Sequence, residues 1–338
     1  MNCGDATYRS TLDAALRGET RGVDPKLFAL VGAALAYLTA TPGVLQGAWD
    51  TYLAAPQMER RREALQLADF KLGRKLATGG FGEVYRATLS DPRTGEERDV
   101  ILKKANQFGE AEVWMNERLM RSTRGVVAEF IQAFDETGEI GDPLWLAWAY
   151  EGDFTLFDLM SKGGNAFPFN TEPLLLGREL EGVAKDQKRA AFMIRLIMQQ
   201  LIEALGALHG QGIVHRDVKP QNMILSTPPG GAGEGRTKLI DLGAAADLRV
   251  GINFQPDLYL LDPRFCPPQQ YLMSQTTPPA PPAPVAAFLS PVLWRLNTPD
   301  RFDMYSAGMV MLQMVFAPLR SDSGIQDFKE KLDKEVSG

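Results

Sequence analysis

The sequence predicts an α+β fold with two lobes: a small antiparallel-sheet lobe with one key helix, and a larger helical lobe, behind an N-terminal helical extension. Between residues 69 and 152, short runs rich in β-branched and aromatic residues alternate with turns, as in an antiparallel sheet. Residues 187–210 instead repeat apolar side chains with the period of a long helix. A chain of 338 residues has room for both lobes and an extension. We place the extension at residues 1–55, the small lobe at 69–152 and the large lobe at 153–338.

The overall composition is that of a globular protein. Lysine and arginine number 36 against 42 aspartate and glutamate, so the net charge is −6. This balance lacks the basic excess of nucleic-acid-binding proteins, and we expect no nucleic-acid partner. The two cysteines, Cys3 and Cys266, cannot form a disulfide framework, and neither has a partner at zinc-site spacing. We therefore expect the body of the protein in a reducing compartment.

The extension contains an apolar segment. Residues 27–49 are 23 residues without a charged side chain, which is long enough to cross a bilayer. Three arginines follow at residues 60–62, as expected for a positive-inside flank. Pro42 interrupts the run, and a helix packed against the domain is the alternative. The sequence leaves both interpretations open for a candidate helix at residues 27–47.

A glycine-rich segment lies between the first two predicted strands. It reads Ala77-Thr78-Gly79-Gly80-Phe81-Gly82-Glu83-Val84, the pattern G-x-G-x-x-G-x-V with alanine in place of the first glycine. Glycines allow backbone N–H groups to approach phosphate oxygens closely. The segment predicts a loop that covers the phosphates of a nucleotide, to which Ala77, Gly79, Gly80, Gly82 and Val84 contribute. Such a loop alone is also compatible with a plain turn.

A lysine ends the next predicted strand. Lys103 follows Val100-Ile101-Leu102 and is placed to contact the α- and β-phosphates of ATP. It needs a carboxylate to hold it, and Glu117 lies within the apolar stretch of the helix predicted at 110–121. Glu110 and Glu112 compete for this role, and all three are also compatible with a solvated helix face. We expect Glu117 to be the partner.

The strongest motif is His215-Arg216-Asp217-Val218-Lys219-Pro220-Gln221-Asn222. Asp217 would accept or orient the proton of a substrate hydroxyl, and Lys219 would neutralise charge on the transferred phosphoryl group. Asn222 would bind magnesium. Asp241, in Lys238-Leu239-Ile240-Asp241-Leu242-Gly243, would bind magnesium between the phosphates. The four-part pattern predicts phosphoryl transfer from ATP with Mg²⁺, and Asn222 and Asp241 are its metal ligands.

The segment after Asp241 departs from the usual pattern. Residues 241–268 contain no serine or threonine, so the common phosphorylation switch is missing, and we expect Asp257 or Asp262 to pair with Arg216 instead. Gln269 stands where a glutamate is usual. The chain ends 30 residues after Gly308, so we expect the large lobe to be abbreviated or truncated. Six prolines at 275–291 predict a loop there.

These motifs give the chain a resemblance to the eukaryotic-type protein kinases over residues 70–320. Three stretches, 102–122, 238–253 and 284–308, resemble one branch: the thylakoid kinases of green algae and plants that phosphorylate light-harvesting antenna proteins in state transitions. The resemblance implies the bilobal protein kinase fold and a Ser/Thr kinase that uses ATP and Mg²⁺. A lysine two residues after the catalytic aspartate, Lys219, is typical of Ser/Thr kinases.

The same resemblance implies a location and partners. The location is the chloroplast thylakoid membrane, with the kinase domain facing the stroma and the N-terminal segment providing membrane association. The implied substrates are light-harvesting chlorophyll a/b-binding proteins, and the cytochrome b6f complex is an implied partner. The family has a redox-active cysteine pair before its membrane helix, of which Cys3 matches the second.

A pseudokinase, a scaffold of the same fold without phosphotransfer, is the main alternative. Ala77, Gln269 and the short C-terminal end favour it. The presence of Lys103, Asp217, Asn222 and Asp241 opposes it, since degenerate kinases usually lose one of these four. A small-molecule kinase is a third, weaker alternative.

Overall fold

The protein is described by a computed structural model that covers residues 25–40, 43–54, 57, 65–79, 82–90, 95–105, 109–123, 125–136, 143–162, 166–227, 233–252, 262–268, 272 and 281–337. These residues form a five-stranded antiparallel sheet, a mainly helical second lobe and N-terminal helices. The predicted α+β fold class is confirmed.

The N-terminal extension is two helices, and the prediction of one helix over residues 27–47 is wrong. Helix α1 spans Pro25–Thr39, and helix α2 spans Val44–Trp49 and continues as a π-helical turn over Asp50–Ala54. The two axes are bent by 54°. A proline at 42 cannot supply a helical backbone donor, and Gly43 has extended backbone angles, so the helix does not run on.

Helix α1 has no buried residue, whereas α2 buries Val44 and Gly47. The bent pair α1–α2 is long and apolar enough to cross a membrane, and so is the helix α6 at Gln187–Gly210. Helix α6, however, buries one face in the core of the large lobe.

The small lobe is one sheet with one helix packed against it. The strands are β1 Phe70–Gly79, β2 Gly82–Ser90, β3 Glu97–Ala105, β4 Phe130–Asp135 and β5 Leu144–Ala149, and helix α3 is Gly109–Ser122. Their order in the sheet is β1-β2-β3-β5-β4, and every pair is antiparallel. Val100 and Leu102 alternate inward along β3, as the period of a half-buried strand requires.

The large lobe is built around helix α6. Its N-cap Asp186 accepts a hydrogen bond of 2.9 Å from the Arg189 N–H, and apolar residues at helical spacing, among them Ile197 and Leu201, are buried. The other helices are α4 Leu156–Lys162, α5 Glu172–Leu176, α7 Ala283–Asn297, α8 Asp300–Val315 and α9 Asp322–Ser337.

Two short strand pairs hold the loops of the site. Strand β6 (Ile213–Val214) pairs with β9 (Ala246–Asp247), and β7 (Met223–Ser226) pairs with β8 (Arg236–Leu239). The loop 215–222 joins β6 to β7, and the loop 240–245 joins β8 to β9. Because both ends of each loop are fixed by these ladders, the two loops lie side by side.

The prediction of a loop throughout 275–291 is wrong for its second half, where helix α7 begins at Ala283. Pro284 lies in the first helical turn, where the missing N–H has no intrahelical acceptor to lose. Helix α7 contacts the N-terminal helices, and the rings of Tyr37 and Phe288 lie 5.3 Å apart.

Candidate active site

A cleft of about 590 Å³ lies between the sheet and the helical lobe. Most of the residues singled out in the sequence line it: Ala77, Gly79, Gly82, Val84, Lys103, Asn222 and Asp241. Gly80 is outside the described residues. The remaining wall is mostly apolar, contributed by residues such as Ile101 and Ile240, so one cavity offers both an apolar surface and charged groups.

The end of β1 and the start of β2 place backbone on the cleft wall, at Gly79 and Gly82. Gly79 pairs with Gly82, and Ala77 pairs with Val84, across the hairpin. Gly82 has a φ of 135°, and a Cβ atom there would lie 2.2 Å from the Lys104 carbonyl oxygen. Only glycine fits this position, because both the backbone angle and the space exclude a side chain. At Gly79 an added Cβ would meet nothing within 4 Å.

Lys103 lies at the centre of a buried ion cluster. Its Nζ atom lies 2.8 Å from Glu112 Oε2 and 2.9 Å from Asp241 Oδ1. Burial lowers the pKa of Lys103, but the two carboxylates raise it more, so its pKa lies above the ordinary value. Burial raises the pKa of Glu112 to about 7, against the opposing effect of Lys103. The ammonium is therefore held in its charged form and fixed between strand β3, helix α3 and the Asp241 loop.

Glu117 is not the partner of Lys103, and that prediction is wrong. Helix α3 begins at Gly109, so Glu112 lies in its first turn and faces β3. Five residues later, Glu117 points about 140° away around the helix axis, at 100° per residue. In the apolar stretch that favoured Glu117, the polar side chain buried against the sheet is Asn116. Its Oδ1 accepts a 3.0 Å hydrogen bond from Trp148 Nε1 of strand β5.

The loop 215–222 brings three predicted residues together. Lys219 Nζ lies 2.8 Å from Asp217 Oδ2, and Asn222 Nδ2 donates to the same oxygen at 2.8 Å. Asn222 also donates to the Asp217 carbonyl at 2.9 Å. The other carboxylate oxygen, Asp217 Oδ1, is buried without a hydrogen-bond partner. A buried acceptor left open is suited to receive a hydroxyl group.

Asp303 fixes the start of this loop, a role that the sequence analysis did not assign to it. Its Oδ2 accepts from the His215 N–H, its Oδ1 accepts from the Arg216 N–H, both at 2.8 Å, and His209 Nε2 lies 2.8 Å from Oδ2. Burial raises the pKa of Asp303, but His209, His215 and the backbone donors outweigh it, so its pKa is lowered. The sequence signal was the Asp303-Met304-Tyr305-Ser306-Ala307-Gly308 pattern.

The second loop presents Asp241. Its φ of 61° is left-handed, and the preceding Ile240 is held on both sides: its N–H donates to the Asn222 carbonyl at 3.0 Å, and its carbonyl lies 3.2 Å from His215 Nε2. Burial raises the pKa of Asp241, but Lys103 lowers it more, so the carboxyl is ionised well below neutral pH. Asp241 and Asn222 are thus oriented by one shared network.

Asn222 and Asp241 fit magnesium better than zinc. Among the described residues, no group of three His, Cys, Asp or Glu side chains forms a metal cage. Mg²⁺ prefers few protein oxygens together with water and substrate phosphates. The ionised carboxylate of Asp241 and the amide oxygen of Asn222 on the cleft wall match that donor set.

The segment after Asp241 is described in part. Asp262 binds Arg264 at 2.7 Å, and Lys219 lies 3.9 Å from it. Asp257, Tyr259 and Gln269 are outside the described residues. Asp262 therefore lies beside the loop 215–222, near Lys219.

Comparisons with known proteins agree on the family. The family model of the protein kinase domain matches residues 70–280. The chain is 48% identical over 335 residues to the chloroplastic serine/threonine-protein kinase STN7 of Arabidopsis thaliana, which covers 99% of this chain and 58% of that protein. It is 44% identical over 338 residues to the chloroplastic serine/threonine-protein kinase STN8 of the same plant, covering 89% of this chain and 66% of the relative.

A more distant relative shares the central region. The serine/threonine-protein kinase pkn2 of Myxococcus xanthus is 30% identical over 183 residues, 52% of this chain and 18% of that protein. The chain thus spans about three fifths to two thirds of the two plant relatives it matches along most of its length.

Proposed function

Because the chain belongs to the protein kinase family, we propose that it transfers the γ-phosphoryl group of ATP to serine or threonine hydroxyls of proteins, with Mg²⁺. One observation carries the proposal: Lys103, Asn222 and Asp241 line a single cleft, and Asn222 joins Asp217 to them. A phosphotransferase needs positioning and charge stabilisation more than covalent chemistry, and these four side chains supply both.

The small lobe would hold the nucleotide. The backbone of the β1–β2 turn, with Gly79 and Gly82, offers N–H groups for the phosphates, and Lys103 offers a fixed positive charge for the α- and β-phosphates. Glu112 keeps that charge in place, and the apolar wall near Ile101 and Ile240 suits a base ring. Bound at Asn222 and Asp241, Mg²⁺ would neutralise charge on the phosphates.

The loop 215–222 would act on the acceptor. The open Oδ1 of Asp217 is suited to accept the proton of the attacking hydroxyl, while Oδ2 is held by Lys219 and Asn222. Lys219 then lies where it can offset negative charge on the transferred group. The lysine also favours a Ser/Thr over a Tyr acceptor, in keeping with the names of the relatives.

We further propose a substrate and a location. The two plant relatives are named chloroplastic, and the sequence resembles the thylakoid branch that phosphorylates antenna proteins. We propose threonines of light-harvesting chlorophyll a/b-binding proteins as acceptors, the stromal side of the thylakoid membrane as the location, and the cytochrome b6f complex as a partner. The exposed helix α1 supports membrane association.

The test is phosphotransfer from γ-labelled ATP with Mg²⁺ to a threonine peptide from the N-terminus of an antenna protein, and to the protein itself. We expect Asp217→Asn to lower kcat on the order of 10³-fold, while nucleotide binding is retained. A peptide with serine in place of threonine, and one with alanine, report the acceptor. If neither the parent nor Asp217→Asn transfers phosphate while both still bind ATP, the proposal is refuted in favour of the scaffold alternative.

A further inference from the structure

A buried carboxylate joins the N-terminal extension to the catalytic domain. Asp50, at the start of the π-helical turn after α2, is 1% exposed. Its Oδ2 lies 2.9 Å from Arg118 Nε and 3.7 Å from Arg249 Nη1, and its Oδ1 accepts from Arg121 Nη2 at 3.2 Å. Two arginines of helix α3 and one from the turn after residue 247 therefore converge on one residue of the extension.

The same arginines tie helix α3 to the segment after the metal-binding loop. Arg118 also forms an ion pair with Asp247 of strand β9, and Trp114, one turn earlier on α3, donates to Asp247 Oδ2 at 2.9 Å. Asp247 Oδ1 accepts from the Arg249 N–H at 2.9 Å. Helix α3 carries Glu112 toward one end and this cluster toward the other, and Asp247 lies six residues after Asp241.

The charges of the cluster depend on Asp50. Arg118 and Arg249 are each 1% exposed, so solvent does not screen them from one another. Burial lowers the pKa of Arg118 and the nearby Arg249 lowers it further, whereas Asp50 raises it. Without Asp50, Arg118 would keep the carboxylate of Asp247, whereas the guanidinium of Arg249 would keep the uncharged acceptors Gly210 O and Gln211 Oε1. A buried charge that loses its partner is strongly unfavourable.

The extension is also closely packed at this point. A Cβ atom at Gly47 would lie 3.2 Å from both Ala287 Cβ and Arg249 Cβ. Helix α2 therefore lies against helix α7 on one side and against Arg249 on the other, which fixes how Asp50 approaches the arginines.

We propose that Asp50 is a positioning residue for phosphotransfer: through Arg118 it holds helix α3, and with it the Lys103–Glu112 pair, in the geometry that the reaction needs. The N-terminal extension then contributes to phosphotransfer through Asp50. The inference rests on the proposed function and adds a control element to the same site. A helix held at one end by Glu112 and at the other by Asp50 can transmit a displacement of the extension to Lys103.

The experiment compares Asp50→Asn with Thr51→Val in the full chain. Both changes are nearly isosteric and adjacent, but the Thr51 hydroxyl donates to the Gly47 carbonyl, one turn earlier in the same helical segment. For Asp50→Asn we expect kcat per folded molecule to fall about tenfold and KM for ATP to rise, with KM for the peptide unchanged. Asp50→Glu should restore part of the loss, and Thr51→Val should match the parent.

Amide hydrogen exchange provides a readout that does not need activity. In Asp50→Asn we expect faster exchange across Gly109–Ser122, with unchanged exchange in helix α6. Arg121→Gln, which alters the partly exposed edge of the cluster, should give a smaller shift of the same kind if Asp50→Asn does not fold. Unchanged exchange in α3, or unchanged kcat and KM for ATP, in a folded variant overturns the inference. If the parent transfers no phosphate, the proposed function fails, and the exchange result still decides whether Asp50 holds helix α3.

Discussion

The backbone N–H of Arg216 donates a 2.8 Å hydrogen bond to Asp303 Oδ1, although the two residues lie on different elements of the large lobe. Arg216 has a φ of 67°, in the left-handed region that non-glycine residues rarely adopt. The His215 N–H donates to Asp303 Oδ2 and so fixes the preceding peptide group as well. Helix α8 thus holds the strained start of the loop that carries Asp217.

Replacing Asp303 with asparagine should release this loop. The amide keeps one acceptor but places its NH2 donor opposite one of the two backbone N–H groups, so we expect a loss of about 1–3 kcal/mol in the free energy of unfolding. Urea unfolding measures the loss, and kcat should fall while KM for ATP changes little. The exposed neighbour Met304→Leu is the matched control; equal stability of both variants would contradict the role of Asp303.

The same carboxylate predicts a pH dependence. The pKa of Asp303 is lowered in the folded protein, so its stabilisation is complete above the unfolded pKa, near 3.8, and is lost as the pH falls through the folded value. We expect the parent and Asp303→Asn to differ in unfolding free energy at pH 6, and the difference to shrink as the pH falls below 3.8 and through the lowered pKa of the folded protein. A constant difference at all pH values would show that Asp303 does not contribute through its charge.

Glu112 and Glu117 form a matched pair on one helix. Glu112→Gln removes the charge that fixes Lys103, and a displaced lysine costs alignment with the phosphates, so we expect kcat/KM for ATP to fall on the order of 10²-fold. Glu117→Gln should change it by less than about twofold, as is usual for substitutions away from such features. Steady-state kinetics of both variants provides the test. A larger fall of kcat/KM for ATP in Glu117→Gln than in Glu112→Gln would show that Glu117 is the partner of Lys103.

Two glycines of the nucleotide loop should respond differently to alanine. Gly82→Ala forces a side chain into a φ of 135° and against the Lys104 carbonyl, so we expect about 1–3 kcal/mol of destabilisation and a higher KM for ATP. Gly79→Ala has open space, and its unfolding free energy should stay within about 0.5 kcal/mol of the parent. Thermal melting without nucleotide separates the fold effect from binding.

Magnesium should stabilise the protein only together with nucleotide and Asp241. At a nucleotide concentration of 100 Kd, binding adds about 2.7 kcal/mol to the free energy of unfolding. We expect Mg²⁺ to increase the nucleotide-dependent rise in Tm for the parent and not for Asp241→Asn. If Asp241→Asn keeps the full effect of Mg²⁺ on Tm, Asp241 is not a ligand of the metal.

Local patterns predicted much of the fold. The apolar alternation of strand β3 and the helical period of α6 correctly predict the buried side chains Leu102 and Ile197. Both patterns arise because each element buries one face. Strand β4 was missed, since Phe130–Asp135 is short and its pairing with β5 has an irregular register after Phe130. The loop residues Asp217 and Asn222 were found because their motif is contiguous in sequence.

The rest depends on contacts that sequence spacing does not carry. Glu112 and Glu117 differ in their rotation about the axis of α3, which is set by where the helix begins and how it lies on β3. The sequence places Asp50 just after an apolar segment and does not predict its role, because its partners Arg118 and Arg249 lie far along the chain. Whether an extension crosses lipid or packs on protein likewise depends on such distant partners.

Asp50 and Asp303 both lie outside the part of the chain that the family model matches. That match runs from residue 70 to residue 280. A recombinant fragment cut at those limits would leave the buried Arg118 without Asp50, and the backbone N–H groups of His215 and Arg216 without the carboxylate of Asp303. Boundaries for expression, domain swapping or crystallisation should therefore enclose Val44 through helix α9, because contacts that hold the site come from beyond the matched region.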